Sequence, residues 1–469
     1  MRRERNLRFK GDLFESLIDP SLFELPKELA IVDRLLDDEA LLEPIRQKLP
    51  SLRGRPSIPL ETYLRMMYLK RRYRLGFEAL VKEVADSLVW RSFCRLNLTD
   101  KVPDATTLIK LTHRLGPSVI ERLNDLLMAK LAEEKVMKKH GQRIRVDTTV
   151  MEANIHHPTD ASLLADGVRV LTRLMRRAQE EGIGLRIAVR NRLRSVKRRL
   201  RRIAFLLRRG GEKAQAQVDR LTAEVASRTQ QTLREAERIA QAVARRIRKL
   251  GPQVGSRYAA LLRDLVVYGD RVRRVLLQTR LRLQGVRTIP HRLVSLFDAD
   301  ARPIRRGKLA KRVEFGYKLG LTETEEGFIT QCQLREGNPS DEAWLPDLVQ
   351  GHTRVTGIRP HAVAADRGMS SRANEAILRA MGIVQVVLPA RGKLTAERRL
   401  FERRRAFRRM VRWRSGQEGR IHHLKDAFEL DRSRYRGAER AWTWALEGTF
   451  AANLIQAARR MLLLAPSKA

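Results

Sequence analysis

Three acidic side chains have the residue type and the surroundings for metal-assisted chemistry at phosphorus. Asp147 lies within residues 142–151, where apolar residues alternate with arginines as they do in a β-strand. Asp366 directly follows the apolar run 361–365, and Glu418 lies in a helical pattern further along the chain. Carboxylates that converge repel one another unless cations separate them, and hard oxygen ligands suit Mg²⁺ or Mn²⁺. Two such ions can activate an attacking oxygen and stabilise a departing one during displacement at phosphorus.

Each acid also has a simpler explanation. A single aspartate at the end of a strand, such as Asp366, most often begins a turn. Glu418 shares a helical face with the apolar Leu424 and Phe428, which predicts that it points inward toward the sheet. An inward glutamate in a run of arginines could equally be a buried ion-pair partner. The catalytic interpretation therefore depends on the three acids meeting in the fold.

The residues around Asp366 predict a β-α-β unit. After the carboxylate a glycine allows a turn, Ser370 or Ser371 is in the N-cap position, and a helix follows over residues 374–381. A second apolar run, residues 383–388, predicts a parallel strand reached by a right-handed crossover. Ligands of open α/β sheets bind beyond the carboxyl ends of the strands, so Asp366 is in the position of a site residue.

The order of the predicted elements defines the fold class. Further strand patterns occupy residues 292–297, 312–321 and 327–335, and a helix occupies residues 341–352. The last two strand patterns form an antiparallel hairpin. A meander extended by a β-α-β unit predicts an α/β fold with a ribonuclease-H-like mixed sheet, whose first strand is central and next to the fourth. This arrangement places Asp147 and Asp366 on adjacent strands, with the helix of Glu418 laid over them.

The same patterns predict four regions. They are an N-terminal helical domain for DNA binding or dimerisation (1–136), a catalytic domain (137–165 and 287–455), a basic helical insertion (166–286) and a C-terminal tail (456–469).

The charge of the chain indicates a polyanionic partner. The 469 residues include 95 Lys and Arg against 54 Asp and Glu, a formal net charge of +41. Phosphate contacts supply most sequence-independent affinity for nucleic acid, so DNA is the expected partner. Basic turns in the N-terminal domain fit a helix-turn-helix DNA reader, although a helical dimerisation module fits almost as well. Between Arg398 and Arg414, nine arginines accompany one acid, as on a surface that follows a phosphate backbone.

The predicted insertion has its own large excess of basic residues. Residues 191–250 contain 18 Lys or Arg and five Asp or Glu. Apolar residues recur at steps of three and four, which predicts an antiparallel helical hairpin or three-helix bundle with breaks at Gly210 and Gly211 and at Gly251 and Pro252. The excess charge favours a DNA-facing arm or a subunit contact over an ordinary solvated face.

The cysteines and the apolar runs predict a compartment. Cys94 and Cys332 are the only cysteines, too few for a disulfide framework or a Cys-based zinc site. No apolar run approaches the length of a membrane span, and the first residues have no signal-peptide core. We therefore expect a protein of a reducing, cytoplasmic compartment, with neither a membrane partner nor a small-molecule substrate.

Several motifs together resemble those of a known family. They are Asp-Thr-Thr-Val-Met-Glu-Ala-Asn-Ile-His-His-Pro-Thr-Asp (147–160), Glu-Phe-Gly-Tyr-Lys (314–318), Ala-Asp-Arg-Gly (365–368), Glu-Gly-Arg-Ile-His-His-Leu-Lys (418–425) and Arg-Tyr-Arg-Gly (434–437), with residues 91–94 and 103–108 in the N-terminal domain. On these residues the chain resembles bacterial insertion-sequence transposases of the DDE class, nearest the ISNCY type. The resemblance covers most of the chain.

The resemblance implies a metal-dependent DNA transferase. Its catalytic and metal-binding triad would be Asp147, Asp366 and Glu418, holding Mg²⁺ or Mn²⁺, two ions per active site. The implied partners are double-stranded DNA, through terminal inverted repeats and a target site, and a second copy of the chain in a homodimer. Two other activities stay open: a nuclease or resolvase of the same fold that cuts without joining, and a domesticated, non-catalytic DNA-binding protein.

The resemblance also bears on DNA contacts. The related arginine-x3-glutamate-x6-lysine signature maps onto Arg414, Glu418 and Lys425. Where relatives often have a tyrosine three residues before that arginine, this chain has Val411. The full set of basic residues predicted to contact DNA is Arg55, Arg72, Arg408, Arg414, Arg420 and Lys425.

Overall fold

The computed structural model describes residue 5 and residues 17–49, 57–184, 186–305 and 313–464. Within the long helix at 212–283, the side chains of residues 251–254, 256 and 257 are not described. The chain forms two compact units, residues 1–154 with 317–469 and residues 155–316. The division predicted from the sequence had four regions, so the structure groups them differently.

The first unit begins with helices, as predicted. They are α1 (Lys27–Leu36), α2 (Glu39–Lys48), α3 (Leu60–Arg72), α4 (Phe77–Asp86), α5 (Leu88–Phe93) and α6 (Ala105–Glu133). Helix α6 kinks at Gly116, which takes a positive φ of 70° before Pro117. Helix α3 is buried at residues 60–71. Its Arg71 donates hydrogen bonds to the carbonyls of Phe428 (3.0 Å) and Trp444 (2.8 Å), so the N-terminal helices are joined to the C-terminal part of the same unit.

The predicted mixed sheet is confirmed. Its seven strands among the described residues are β1 (Arg143–Ala153), β2 (Arg302–Arg305), β3 (Val313–Thr324), β4 (Ile329–Arg335), β5 (Ala362–Ala365), β6 (Gln385–Val387) and β7 (Arg432–Ser433). In the first unit the order is β3-β1-β5-β6, with β4 beside β3 and β7 beside β1. Strand β1 is therefore central and next to β5, as expected, and β5 and β6 are parallel. Strands β3 and β4 form the predicted antiparallel hairpin.

The remaining helices of the first unit cover the sheet. They are α10 (Leu345–Thr356), α11 (Arg372–Ala380), α12 (Ala396–Arg403), α13 (Arg405–Ala427) and α14 (Ala438–Leu464). Residues Trp344 and Leu348 pack with Val146 and Ala365 in one core. Phe407 and Met410 of α13 pack with Ala362, Ala364 and Val387 in another. Because β-strand side chains alternate in direction, these two cores lie on opposite faces of the sheet.

Two details of this unit differ from the sequence-based prediction. Ser371 alone is the N-cap of α11, since its hydroxyl accepts a hydrogen bond from the backbone N–H of Asn374 at 3.1 Å. Residues 456–464, predicted as part of a tail, continue α14. Buried Ala457 and Ala458 show why this segment is ordered: its apolar side packs into the unit.

The second unit contains the predicted helical insertion. Its helices are α7 (Asp160–Glu180), α8 (Leu193–Arg209) and α9 (Glu212–Leu283). The break at Gly210 and Gly211 is confirmed. The two halves of α9 lie side by side, because Arg273 is 2.8 Å from Glu237, 36 residues earlier, and Arg282 is 3.3 Å from Asp219, 63 residues earlier. In one continuous helix, residues 36 apart would be separated by about 54 Å. The chain therefore reverses between the two halves, which confirms the break predicted at Gly251 and Pro252.

The strand predicted over residues 292–297 is absent from the structure, and β2 follows instead. Leu293 and Leu296 are buried in the helical core of the second unit. The amide side chain of Gln278 accepts a hydrogen bond from the Leu293 N–H and donates one to its carbonyl, both at 3.0 Å. The backbone of this segment is therefore satisfied by a side chain instead of by a neighbouring strand.

None of the helices in the described parts of the chain is long and apolar enough to cross a membrane.

Candidate active site

Asp147 and Asp366 end up side by side because of the register of two parallel strands. Val146 of β1 pairs with Ala365, the last residue of β5, and an aspartate follows each of them: Asp147 within β1 and Asp366 just past the end of β5. Each carboxylate accepts a hydrogen bond from the backbone N–H of the following residue at 2.7 Å. The side chain of Asp147 is mostly buried, at 14% exposed, whereas that of Asp366 is 51% exposed at the sheet edge formed by the carboxyl end of β5.

Glu418 reaches this edge from α13, though not in the predicted orientation. The buried residues of α13 are Phe407, Met410, Gln417 and Leu424, whereas the side chain of Glu418 is 76% exposed. Successive residues of a helix are turned by 100°, so an inward Gln417 leaves Glu418 at the margin. The prediction that Glu418 points inward toward the sheet is therefore wrong.

Contacts with β1 set the rotation of α13. Arg145 of β1 donates to the carbonyl of Trp413 at 2.8 Å, and the amide of Gln417 donates to the carbonyl of Arg145 at 3.4 Å. Further along the helix, Nζ of Lys425 donates to the carbonyl of Val150 at 2.7 Å. These polar contacts fix which residues of α13 face the sheet, and apolar periodicity alone does not reveal them.

The guanidinium of Arg414 contacts all three predicted catalytic acids. Its Nη2 lies 3.5 Å from Oδ2 of Asp147 and 3.9 Å from Oε1 of Glu418, and its Nη1 lies 3.4 Å from Oδ1 of Asp366. The Arg414 side chain is only 12% exposed, and its Nε has no hydrogen-bond partner among the described residues. A single, largely buried cation thus partly neutralises carboxylates from β1, from the end of β5 and from α13.

The donor set suits a hard divalent cation, because it consists of carboxylate oxygens at an open edge. In the arrangement described, the positive charge comes from Arg414. No cluster of three or more His, Cys, Asp or Glu side chains in the described part of the chain has the geometry of a metal site. The three acids are therefore suitable ligands for a divalent metal ion, but in this structure they contact the guanidinium of Arg414.

The other residues predicted to contact DNA have varied surroundings. Arg408 is exposed on α13. Arg72 lies 3.2 Å from Glu28, and Lys425 bonds the β1 backbone as described above. Arg420 is mostly buried: it donates to the carbonyl of Gly327 at 2.9 Å and lies 3.7 Å from Glu323, and burial lowers the pKa of its guanidinium. This position corrects the expectation that Arg420 is available to a DNA phosphate.

Arg55, which was also predicted to contact DNA, lies outside the described residues.

Asp341 adjoins the site, whereas the sequence predicts it only as the start of a helix. Its Oδ1 accepts a hydrogen bond from the Thr148 hydroxyl at 2.7 Å and lies 2.8 Å from Nζ of Lys318. A Cβ on Gly368 would be 2.9 Å from its Oδ2, so this carboxylate also touches the turn after Asp366. The only sequence signal for it is that Lys318 belongs to the motif over residues 314–318.

Comparison with known proteins adds two family matches. Residues 20–114 match a family described as a transposase domain, DUF772, and residues 291–454 match one described as a transposase DDE domain. The second match spans Asp366, Arg414 and Glu418, and the DDE domain implies the predicted ribonuclease-H-like fold. The two matches together are consistent with a DDE transposase of a bacterial insertion sequence.

A curated relative gives no functional detail. It is a Rhizobium meliloti protein described as "Uncharacterized protein ORF8 in nfe locus", 32% identical over 136 residues. The match spans 28% of this chain and 64% of that protein, so it covers less than two thirds of the relative's length. No solved structure matches the chain.

Proposed function

We propose that this protein cuts and joins the ends of an insertion sequence, as a DNA transposase that depends on divalent metal ions. The observation that carries the proposal is the meeting of Asp147, Asp366 and Glu418 around one guanidinium. These acids come from three separate elements, and they share an edge of the sheet where ligands of α/β folds bind. The match to a transposase DDE domain supports the same conclusion, since enzymes of this family generally use divalent ions.

The three acids are the proposed ligands of Mg²⁺ or Mn²⁺, two ions per active site. When bound, such ions supply an activated attacking oxygen and a stabilised leaving oxygen at phosphorus. In cleavage, water attacks phosphorus and the bond to the 3′ oxygen breaks, which leaves a free 3′-hydroxyl. In joining, the oxygen of that hydroxyl attacks phosphorus in a target phosphodiester, the hydroxyl loses its proton, and the bond from that phosphorus to the target's own 3′ oxygen breaks, so that this oxygen leaves as a new 3′-hydroxyl. Arg414 provides the charge that the acids need in the arrangement described, so a bound cation competes with Arg414 for the same oxygens.

Double-stranded DNA is the proposed partner, through terminal inverted repeats and a target site. The net charge of +41 supports this, as does the exposed Arg408 on the helix that carries Glu418. A homodimer is proposed because two DNA ends have to be handled together. The motifs given above support the ISNCY type, and a cytoplasmic location at the nucleoid is the prediction that follows from a DNA partner.

The test is an assay of strand cleavage and strand transfer. The full chain would be incubated with Mg²⁺ or Mn²⁺ and with duplexes taken from the DNA that flanks its coding sequence. Joined products support the proposal, cut products alone indicate a nuclease or resolvase, and binding alone indicates a non-catalytic DNA-binding protein.

The matched variants are Asp366→Asn and Asp426→Asn. Asp366→Asn is expected to abolish cleavage while it leaves DNA binding intact or slightly tighter, because one repulsive charge near the phosphates is lost. Asp426 is 72% exposed on the same helix as Glu418, and its replacement is expected to leave cleavage unchanged. Cleavage by Asp366→Asn near the parent rate would remove Asp366 from the catalytic role.

A further inference from the structure

Helix α8 of the second unit carries an unusually one-sided charge. Its 17 residues include eight Lys or Arg and no Asp or Glu. Arg199 alone is neutralised, by Glu224 at 2.7 Å. The other seven are exposed, and none of them forms an ion pair with another residue in the described ranges; they are Arg194, Lys197, Arg198, Arg201, Arg202, Arg208 and Arg209. Such a helix face repels other cations and attracts a polyanion.

The packing of α8 fixes the direction of this face. Val196 is buried in the main core of the second unit, and Ile203 and Leu206 are buried with Ala161 and Val218 in a smaller core. Because these apolar residues lie on one side of the helix, rotation of α8 would expose them. The basic side is therefore held toward solvent by the fold.

A second basic surface lies beside the start of α8. A cleft of about 410 Å³ is lined by four arginines of α7, by Thr172 and Glu180, and by Asn191 and Leu193. Two of the arginines, Arg173 and Arg176, are exposed and form no ion pair with a described residue. Leu193, which lines the cleft, is the first residue of α8, and the exposed arginines of α8 begin at the next position.

Aromatic contacts hold part of the basic face in place. The side chain of Phe205 is 48% exposed, with the guanidinium carbons of Arg202 and Arg209 at 5.2 and 5.8 Å from the centre of its ring. Arginines that already rest on a ring lose less conformational freedom when they bind a phosphate. The exposed ring is itself a contact for a sugar or a base.

We propose that the basic face of α8 contacts the phosphate backbone of duplex DNA. Side chains three or four residues apart on a helix are about 5–6 Å apart, and duplex DNA carries one negative charge per ~1.7 Å of its axis, so every arginine has a phosphate within reach. A lipid surface is a poorer fit because the large exposed apolar residues of α8 are only Phe205 and Leu207. The inference rests on the proposed function for its partner, but it does not depend on the three acids.

The test compares two triple variants of the full chain that change the net charge equally. The first is Arg198→Gln, Arg201→Gln and Arg202→Gln. The control is Arg220→Gln, Arg263→Gln and Arg273→Gln, three exposed arginines of α9 that lie near acids of their own unit. Binding to a duplex of random sequence would be measured by fluorescence anisotropy over a range of salt concentrations, with EDTA present so that no cleavage occurs.

The slope of log affinity against log salt is the deciding quantity. Each lost phosphate contact reduces its magnitude by about 0.9, so the α8 triple is expected to lose roughly 2 to 3 and the control much less. A slope that stays at the parent value, or falls equally in both triples, overturns the proposal. A third variant, Arg198→Lys, Arg201→Lys and Arg202→Lys, keeps the charge, and it is expected to retain the parent slope even if the glutamine triple folds poorly.

This measurement and the cleavage assay in Mg²⁺ or Mn²⁺ together separate the two proposals. Loss of slope in the α8 triple, together with a protein that never cleaves DNA, would support the surface and contradict the proposed function. An unchanged slope in the α8 triple, together with normal cleavage of DNA, would contradict the proposed surface and support the proposed function. A change in subunit association with no change in slope would assign α8 to a protein interface and overturn the DNA proposal.

Discussion

Nη1 of Arg414 lies 3.4 Å from Oδ1 of Asp366, and the same guanidinium reaches Asp147 and Glu418. One internal cation thus holds together acids that would otherwise repel one another. The distances, 3.4 to 3.9 Å, are longer than those of strong charge-assisted hydrogen bonds. A cation that binds several of these oxygens at once can therefore compete with Arg414.

Replacement of Arg414 by glutamine is expected to strengthen the response to divalent cations. Without the guanidinium the acids repel, so the free energy of unfolding in EDTA should fall by about 1 kcal/mol. Added Mn²⁺ or Mg²⁺ should then raise the melting temperature more than it does in the parent. Thermal unfolding with and without metal measures this difference. Arg412→Gln, at an exposed position on the same helix, is the control; an equal metal response in both variants would contradict the competition.

Asp341 is expected to stabilise the site through its contacts with Thr148 and Lys318. Asp341→Ala removes the acceptor of the Thr148 hydroxyl and leaves Nζ of Lys318, whose side chain is 10% exposed, with the carbonyl of Pro339 at 2.7 Å. Loss of these contacts should lower the free energy of unfolding by roughly 2 kcal/mol, measured in urea. Cleavage should also decrease, because Thr148 follows Asp147 directly, while DNA binding should be retained.

The control for this variant is Asp347→Ala. Asp347 is 62% exposed and pairs with Arg335 at the surface, so its replacement should cost less than 1 kcal/mol. If Asp341→Ala were no more harmful than this control, Asp341 would have no positioning role.

Stability is expected to fall on mild acidification because of His352. Its Nε2 lies 2.8 Å from Oε1 of Gln142 and its Nδ1 lies 2.9 Å from Oγ1 of Thr330, and burial lowers its pKa to about 4. The unfolded chain takes up a proton near the ordinary pKa of about 6.5, whereas the folded protein does so only near 4. Between these values the unfolded state binds more protons, so the free energy of unfolding decreases as the pH falls from 6.5 to 4.

The contribution of His352 between pH 7 and pH 4.5 is roughly 2 to 3 kcal/mol. His352→Gln removes the titrating group, so the difference in urea-unfolding free energy between these two pH values should be smaller in the variant, although the variant is less stable at pH 7. His422→Gln, at an exposed position on α13, should retain the parent difference. An unchanged difference in His352→Gln would refute the assignment.

Local patterns were sufficient for most of the fold. Alternation of apolar residues predicted β1 and the β3–β4 hairpin, and a short apolar run with a serine cap predicted the β5-α11-β6 unit. These signals come from side-chain periodicity and from capping, which depend on neighbours in the sequence. The same reasoning failed at residues 292–297, where Gln278, from the end of α9, satisfies the backbone. It succeeded at Gly251 and Pro252, where the chain reverses between the two halves of α9.

For the site, the sequence by itself determined the identity of the acids and, through the order of the strands, the proximity of Asp147 and Asp366. Tertiary structure decided the rest. Helix α13 is rotated so that Gln417 faces the sheet and Glu418 the solvent, and Arg414 is buried against the acids. Polar contacts such as that from Arg145 to the carbonyl of Trp413 set this rotation. They join residues more than 250 positions apart in the chain, so neither periodicity nor spacing carries a signal for them.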